Sequence, residues 1–141
     1  MDVLISIVGV QQLDGDSDTI ELTTDGTLEP TADGYRLRYE ETSVTGLEGA
    51  MTTLHLAPGQ VMLERSGSLT SLLVLEKGKR HLCHYDTGFG SLMVGVFAQS
   101  IHSDLTDSGG TLDVSYSLDI NSGLNSMNSI FVDVKRNAKK S

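Results

Sequence analysis

The sequence predicts an all-β protein: an antiparallel, mostly up-and-down β-barrel of eight to ten strands. Three observations predict it. Apolar and polar residues alternate with period two through most of the chain, and no stretch carries a helical stripe. Turn residues interrupt the alternation at short intervals, the spacing of an antiparallel meander. Finally, so many strands in a chain of 141 residues would expose long edges as a flat sheet, so the sheet is expected to close.

The elements follow in order. Residues 2–13 (DVLISIVGVQQL) read as a first strand, "DGDS" at 14–17 as a turn, and 18–25 as the returning strand. Gly26 to Gly34, with Pro30, reads as a polar loop. Residues 35–43 (YRLRYEETS) form the next strand, which breaks around "TGLEG". Strands at 51–57 and 60–66 flank a Pro-Gly turn, and strands at 68–77 and 79–86 flank Gly78. Residues 91–105 make a long strand with an expected bend at Gly95. "DSGG" leads into 111–121, and "SGLNSMN" connects to a last strand at 129–136. The register is firmest in 111–121. Leu112, Val114, Tyr116, Leu118 and Ile120 share one face, and a one-residue slip would bury Asp113 and Asp119 instead. Ile130, Val132 and Val134, and likewise Leu92, Val94, Val96 and Ala98, are assigned to the same inward side.

Residues 1–136 are read as one domain and 137–141 as a basic tail. The net charge is −9 and unevenly spread. Lys135, Arg136, Lys139 and Lys140 follow the last acid, so residues 1–134 hold six basic against nineteen acidic side chains, a net of −13. A body that acidic repels nucleic acid and anionic lipid, and neither is expected as a partner. No apolar run reaches the length of a membrane span. The N-terminal MDVLISIVGV lacks a basic n-region and a small-residue cleavage site, so it is not read as a signal peptide. The single cysteine, Cys83, has no internal disulfide partner. Together these make the cytoplasm the expected setting.

Three stretches carry chemistry-bearing residues. In "HLCHYD" (81–86), strand alternation puts His81, Cys83 and Tyr85 on one face and His84 and Asp86 on the other. The histidines therefore diverge, His55 and His102 lie elsewhere, and neither a metal site nor a Cys/His catalytic pair is expected. "TGFG" at 87–90 reads as a hairpin turn, not a phosphate loop. Asp14, Asp16, Asp18 and Asp25 have a calcium-loop flavour, but the sixth-position glycine and twelfth-position glutamate are missing. An acidic hairpin tip is the simpler reading. "GYRLRYEETSVTG" (34–46) is the most unusual segment. With Tyr35, Leu37 and Tyr39 inward, Glu41 enters the barrel near one end, and Arg65 beyond Val61 and Leu63 is its natural counter-charge. Such a pair either anchors a ligand in a cavity or staples the barrel end.

"YRLRYEET…TG", "LERSG", "YDTGFGSLMVGV", "GGTLDVSYSLDIN" and "NSIFVDV" together resemble the YwiB-like bacterial proteins, in the same order and over nearly the whole chain. The resemblance implies a calycin-type, lipocalin-like β-barrel without an established biochemical function, and it brings no catalytic residues. The positions similar in motif are Tyr39, Glu41, Arg65, Tyr85, Phe89, Tyr116 and Asn128. The expected function is non-enzymatic binding of a small molecule, with Tyr39, Glu41, Arg65, Tyr85 and Tyr116 as candidate interior residues and no cofactor. The rival is a filled barrel that serves as a protein–protein interaction module. An interior volume decides between them, because a barrel of about eight strands holds its own side chains or one small ligand.

Overall fold

The structure, a computed structural model, describes residues 1–13, 15–41, 49–67, 71–86, 91–120 and 124–137, leaving aside the side chains of 85, 86, 91, 92 and 124. Among these residues the chain forms ten strands and no helix: β1 (Asp2–Leu13), β2 (Asp16–Pro30), β3 (Tyr35–Glu40), β4 (Ala50–Ala57), β5 (Gln60–Gly67), β6 (Ser71–Glu76), β7 (Arg80–Asp86), β8 (Ser91–Ser103), β9 (Gly109–Ile120) and β10 (Leu124–Arg136). The sheet order is β6-β5-β4-β3-β2-β1-β10-β9-β8-β7. Each strand therefore lies beside its sequence neighbours, and β1 pairs with β10 to join the two ends of the chain. All nine ladders are antiparallel.

β6 and β7 end this order and face each other across a seam. A bridge between Glu76 and Lys79 starts the pairing, but no regular ladder continues it among the described residues. Instead the Val74 N–H donates to Cys83 Sγ at 3.3 Å, His81 Nε2 meets Glu76 Oε1 at 3.0 Å, and the Gly78 N–H donates to the Ala98 carbonyl at 3.0 Å. The result is a nearly closed barrel. The strand alternation holds over 82–84: Cys83 is buried, whereas Leu82 and His84 face water.

Three boundaries differ from the sequence reading, each for a physical reason. Gly26 is not a loop residue. It faces inward in the middle of β2, where a side chain would collide with Ile5 and the Arg38 carbonyl, and Leu28 beyond it fills the core. The turn is only Thr31–Gly34, clasped by Thr31 N–H to Gly34 O at 2.9 Å and Gly34 N–H to Thr31 Oγ1 at 3.1 Å. Pro30 ends the strand, where its missing N–H costs least. Second, β8 does not bend at Gly95. The register shift lies between Ala98 and Ser100, where one extra residue turns Ile101 inward opposite Val114. Gly95 stays in the ladder on the outer face and leaves room for the Arg80 guanidinium, which crosses it to reach Asp119 at 2.6 and 3.1 Å. Third, β10 starts at Leu124 rather than 129. Its inward positions there include Ser126 and Asn128, which break the apolar alternation that marks a strand in sequence. The expected turn at 87–90 and most of the basic tail lie outside the described residues.

The bore is unequally filled. The turns at Thr31–Gly34, Pro58–Gly59 and Lys77–Lys79 lie at one end, called lower here, together with Met1 and Asn137. The lower half is closely packed inside its turn-lined mouth: Val3, Ile5, Leu28, Leu37, Leu56, Val61, Leu75, Val96, Ala98, Leu112 and Val134 are all 5% exposed or less. Each large side chain buried to that degree contributes about 1.5–3 kcal/mol. In the upper half, inward-facing Ile7, Leu118 and Ile130 are only partly buried, and Ile20 is 46% exposed.

Candidate functional site

The exposed Ile20 points to the site. Its register partner is Gly9 on β1, whose own neighbour on β10 is Ile130. All three face the bore. Among the described residues, a Cβ built on Gly9 meets nothing within 4 Å, although its backbone is ordinary strand that any residue adopts. Gly9 is therefore a missing side chain in the barrel wall rather than a turn residue. The space it leaves belongs to two adjoining hollows. The inner one, of about 260 Å³, lies against Ile7, Leu22, Leu54, Val132 and the Tyr39–Glu41 end of β3. The outer one, of about 440 Å³, is reached through the same ring of Gly9, Ile20, Leu63, Arg65 and Ile130, and extends past Leu73, Tyr116 and Leu118 to Gln11, Asp18 and Asn128. Together they have the scale of small-molecule pockets, roughly 300–1,000 Å³. Another hollow, of about 380 Å³, lies at the lower end among Asp33–Tyr35, Ala57–Gly59 and Ile101–Leu105. It is rimmed by turn residues and has no buried charged group among its lining, so it makes the poorer site.

The polar anchor of the upper site is set by register. Tyr39, Thr52, Arg65 and Ser71 are successive cross-strand partners on β3, β4, β5 and β6, so they form one inward row across four strands. Glu41 sits one step further up, its N–H donating to the Ala50 carbonyl at 2.8 Å. The Glu41 side chain is 1% exposed and Arg65 17%, with Arg65 Nε 3.8 Å from Glu41 Oε1. Thr52, wholly buried, donates its hydroxyl to Glu41 Oε1 at 2.5 Å, the short distance of a charge-assisted bond. The Tyr39 hydroxyl is tied to both Glu41 and Thr52. Burial raises the Tyr39 phenol far above its ordinary pKa; the Glu41 charge adds to that rise and the Arg65 charge opposes it. A buried carboxylate thus has an opposite charge and two hydroxyls, which makes its burial tolerable. Arg65 Nε itself is buried and has no hydrogen-bond partner among the described residues.

The sequence-derived interior set is largely brought together. Tyr39, Glu41 and Arg65 form the cluster, and Tyr116 lines the outer hollow opposite Asn128. The Tyr85 backbone pairs with Leu92 in β7–β8, but its side chain, like Phe89, lies outside what is described. Sequence reasoning missed Thr52 and Ser71. Their only signal is the alternation Ala50, Thr52, Leu54, Leu56, which places Thr52 among buried residues, and this acquires meaning only once β4 is set between β3 and β5. Among the described residues no three His, Cys, Asp or Glu side chains converge as a metal site would require, and no helix is long and apolar enough to cross a membrane.

Fold and site together define an antiparallel ten-stranded, nearly closed β-barrel with a buried polar cluster beside hollows that the described residues leave in its upper half. The chain belongs to the family described as "Domain of unknown function (DUF1934)", whose profile matches residues 5–132. It is 25% identical over 118 residues to the "Uncharacterized beta-barrel protein YwiB" of Bacillus subtilis (strain 168), covering 84% of this chain and 82% of that protein. The crystal structure of the ywiB protein from Bacillus subtilis superposes with a TM-score of 0.76 at 23% identity, covering 94% of this chain and 90% of the other. The up-and-down barrel expected from sequence is thus shared with a solved structure.

Proposed function

We propose that this protein binds a small molecule in the upper half of its barrel, without transforming it, in the cytoplasm. One observation carries the reading: inward-facing Ile20 is 46% exposed beside Gly9, whose missing side chain would meet nothing within 4 Å among the described residues. A barrel selected only for stability gains by filling such a space, since an apolar side chain there replaces water contact with packing. The lower half of the same barrel is filled in that way. The site also has the usual composition of a ligand pocket, an apolar wall with a few fixed polar groups. Its charged groups form a neutralised pair held by hydroxyls, which suits orienting a ligand more than moving protons. The rival, a filled barrel serving a protein partner, loses its premise in the upper half.

The test is binding of the neutral fluorescent probe N-phenyl-1-naphthylamine to the full chain and to Gly9→Leu. Saturable one-to-one binding by wild type, and at least tenfold weaker binding by Gly9→Leu with an unchanged circular dichroism spectrum, is expected. Absence of saturable binding, or equal binding by the variant, would overturn the reading.

A further inference from the structure

The chemistry of the cavity wall narrows the ligand, on the reading that the bore binds one. The charged side chains lining the two hollows are Asp18, Glu41 and Arg65. Arg65 is the polar member of the ring where the hollows meet, and among the described residues it is the single cation of these linings. Its charge is already balanced by Glu41, which is buried beside it. Asp18, at the outer rim, tips the local balance negative, as does the strongly acidic protein body. A ligand carboxylate entering here would stand near Glu41 in a medium of low dielectric, with no cation of its own. The Arg65 Nε–H is nevertheless buried without a partner among the described residues, since 3.8 Å to Glu41 exceeds hydrogen-bond range. Closed off in this way, Nε is out of reach of a ligand oxygen; the rest of the guanidinium, on a side chain 17% exposed where it lines both hollows, can donate, and an uncharged oxygen accepts from it without repulsion from Glu41.

We propose that the natural ligand is an uncharged amphipath: an apolar body lying against Ile7, Ile20, Leu22 and Ile130, and a hydroxyl or carbonyl oxygen accepting a hydrogen bond from the exposed part of the Arg65 guanidinium. The Glu41–Arg65 pair then acts as a selectivity device. Arg65 supplies the donor, and Glu41 excludes the carboxylates that a lone buried arginine would attract.

The experiment is displacement of N-phenyl-1-naphthylamine from the full chain by 1-decanol and by decanoate, which share a chain and differ in head-group charge. At neutral pH, 1-decanol is expected to displace the probe at a concentration at least tenfold lower than decanoate. In Glu41→Gln, which keeps the size and the hydrogen bond to Thr52 but removes the charge, decanoate should improve at least tenfold and 1-decanol much less. Equal or tighter binding of decanoate by wild type would overturn the inference, as would a head-group ratio unchanged in a folded Glu41→Gln. If Glu41→Gln does not fold, the wild-type ratio alone decides. If Gly9-dependent probe binding is present but neither decanoate nor 1-decanol competes, the ligand class is wrong and the binding reading stands. If the probe does not bind, both fail.

Discussion

Replacing Gly9 with valine is expected to stabilise the protein, and the size of the effect follows from the cavity. Glycine within a strand costs about 0.5–1 kcal/mol relative to alanine through its greater freedom in the unfolded chain. The Gly9 backbone has no positive φ, so valine adopts it without strain. Its Cβ meets nothing within 4 Å among the described residues, so none of those has to move. The added side chain would face Ile20, which is 46% exposed, so roughly half of the 1.5–3 kcal/mol available for a fully buried valine is gained, or about 1 kcal/mol. The sum is about 1.5–2 kcal/mol, equivalent to a rise in Tm of roughly 5 °C for a chain of this size. Urea unfolding followed by circular dichroism measures it, with an unchanged slope against denaturant showing that the unfolded state is not the cause. A loss of more than about 1 kcal/mol, the sign of overpacking, would mean that the bore at Gly9 is already full and would refute the reasoning.

Other outcomes follow from the same division of the barrel. Leu28→Ala, in the solid half, should lose about 2–5 kcal/mol, whereas Ile20→Ala should lose less than about 1.5 kcal/mol; equal losses in urea melts would contradict an unevenly filled bore. Glu41→Ala strands Arg65 and Thr52 and should lose about 3–5 kcal/mol; a loss under 1 kcal/mol would mean that the cluster is not a buried, coupled unit. Hydrogen bonds from His81 and then from Lys79 hold the Glu76 carboxyl below its ordinary pKa. A depressed carboxylate stabilises the fold above its unfolded pKa, and that contribution is lost as pH falls through the folded value. Carboxyl NMR of His81→Gln should show Glu76 titrating at higher pH than in wild type; an unmoved titration would remove the His81 contact across the seam.

The parts of this fold legible in sequence are those where alternation is strict. β9, with Leu112, Val114 and Tyr116 inward, could be assigned to faces without coordinates, and β1 could be bounded from its pattern alone. Legibility fails where the inward face is polar or empty. Ser126 and Asn128 are inward but polar, Asn128 donating to Ser126 Oγ and lining the outer hollow, and that break in the apolar alternation conceals the start of β10. Gly26 and Gly95 resemble turn or bend signals, yet each is small because another group occupies its space, Ile5 in one case and the Arg80 guanidinium in the other. The ion pair of Glu41 and Arg65 was readable from inward parity on two strands. Thr52 was not, because its place between Tyr39 and Arg65 depends on cross-strand register, which a single sequence does not specify. Strand parity marks both Gly9 and Ala98 as small inward residues, a hint of interior space, but only Gly9 borders a hollow, Ala98 being wholly buried; emptiness depends on what the neighbouring strands supply.

Methyl NMR during titration with N-phenyl-1-naphthylamine tests the central claim most directly. Shifts confined to Ile7, Ile20, Leu22 and Ile130, with Leu28, Leu37 and Leu75 unmoved, are predicted by a bore that is solid below and vacant above. Shifts at outward-facing Leu4, Val8 or Leu82 without any at Ile20 would contradict it.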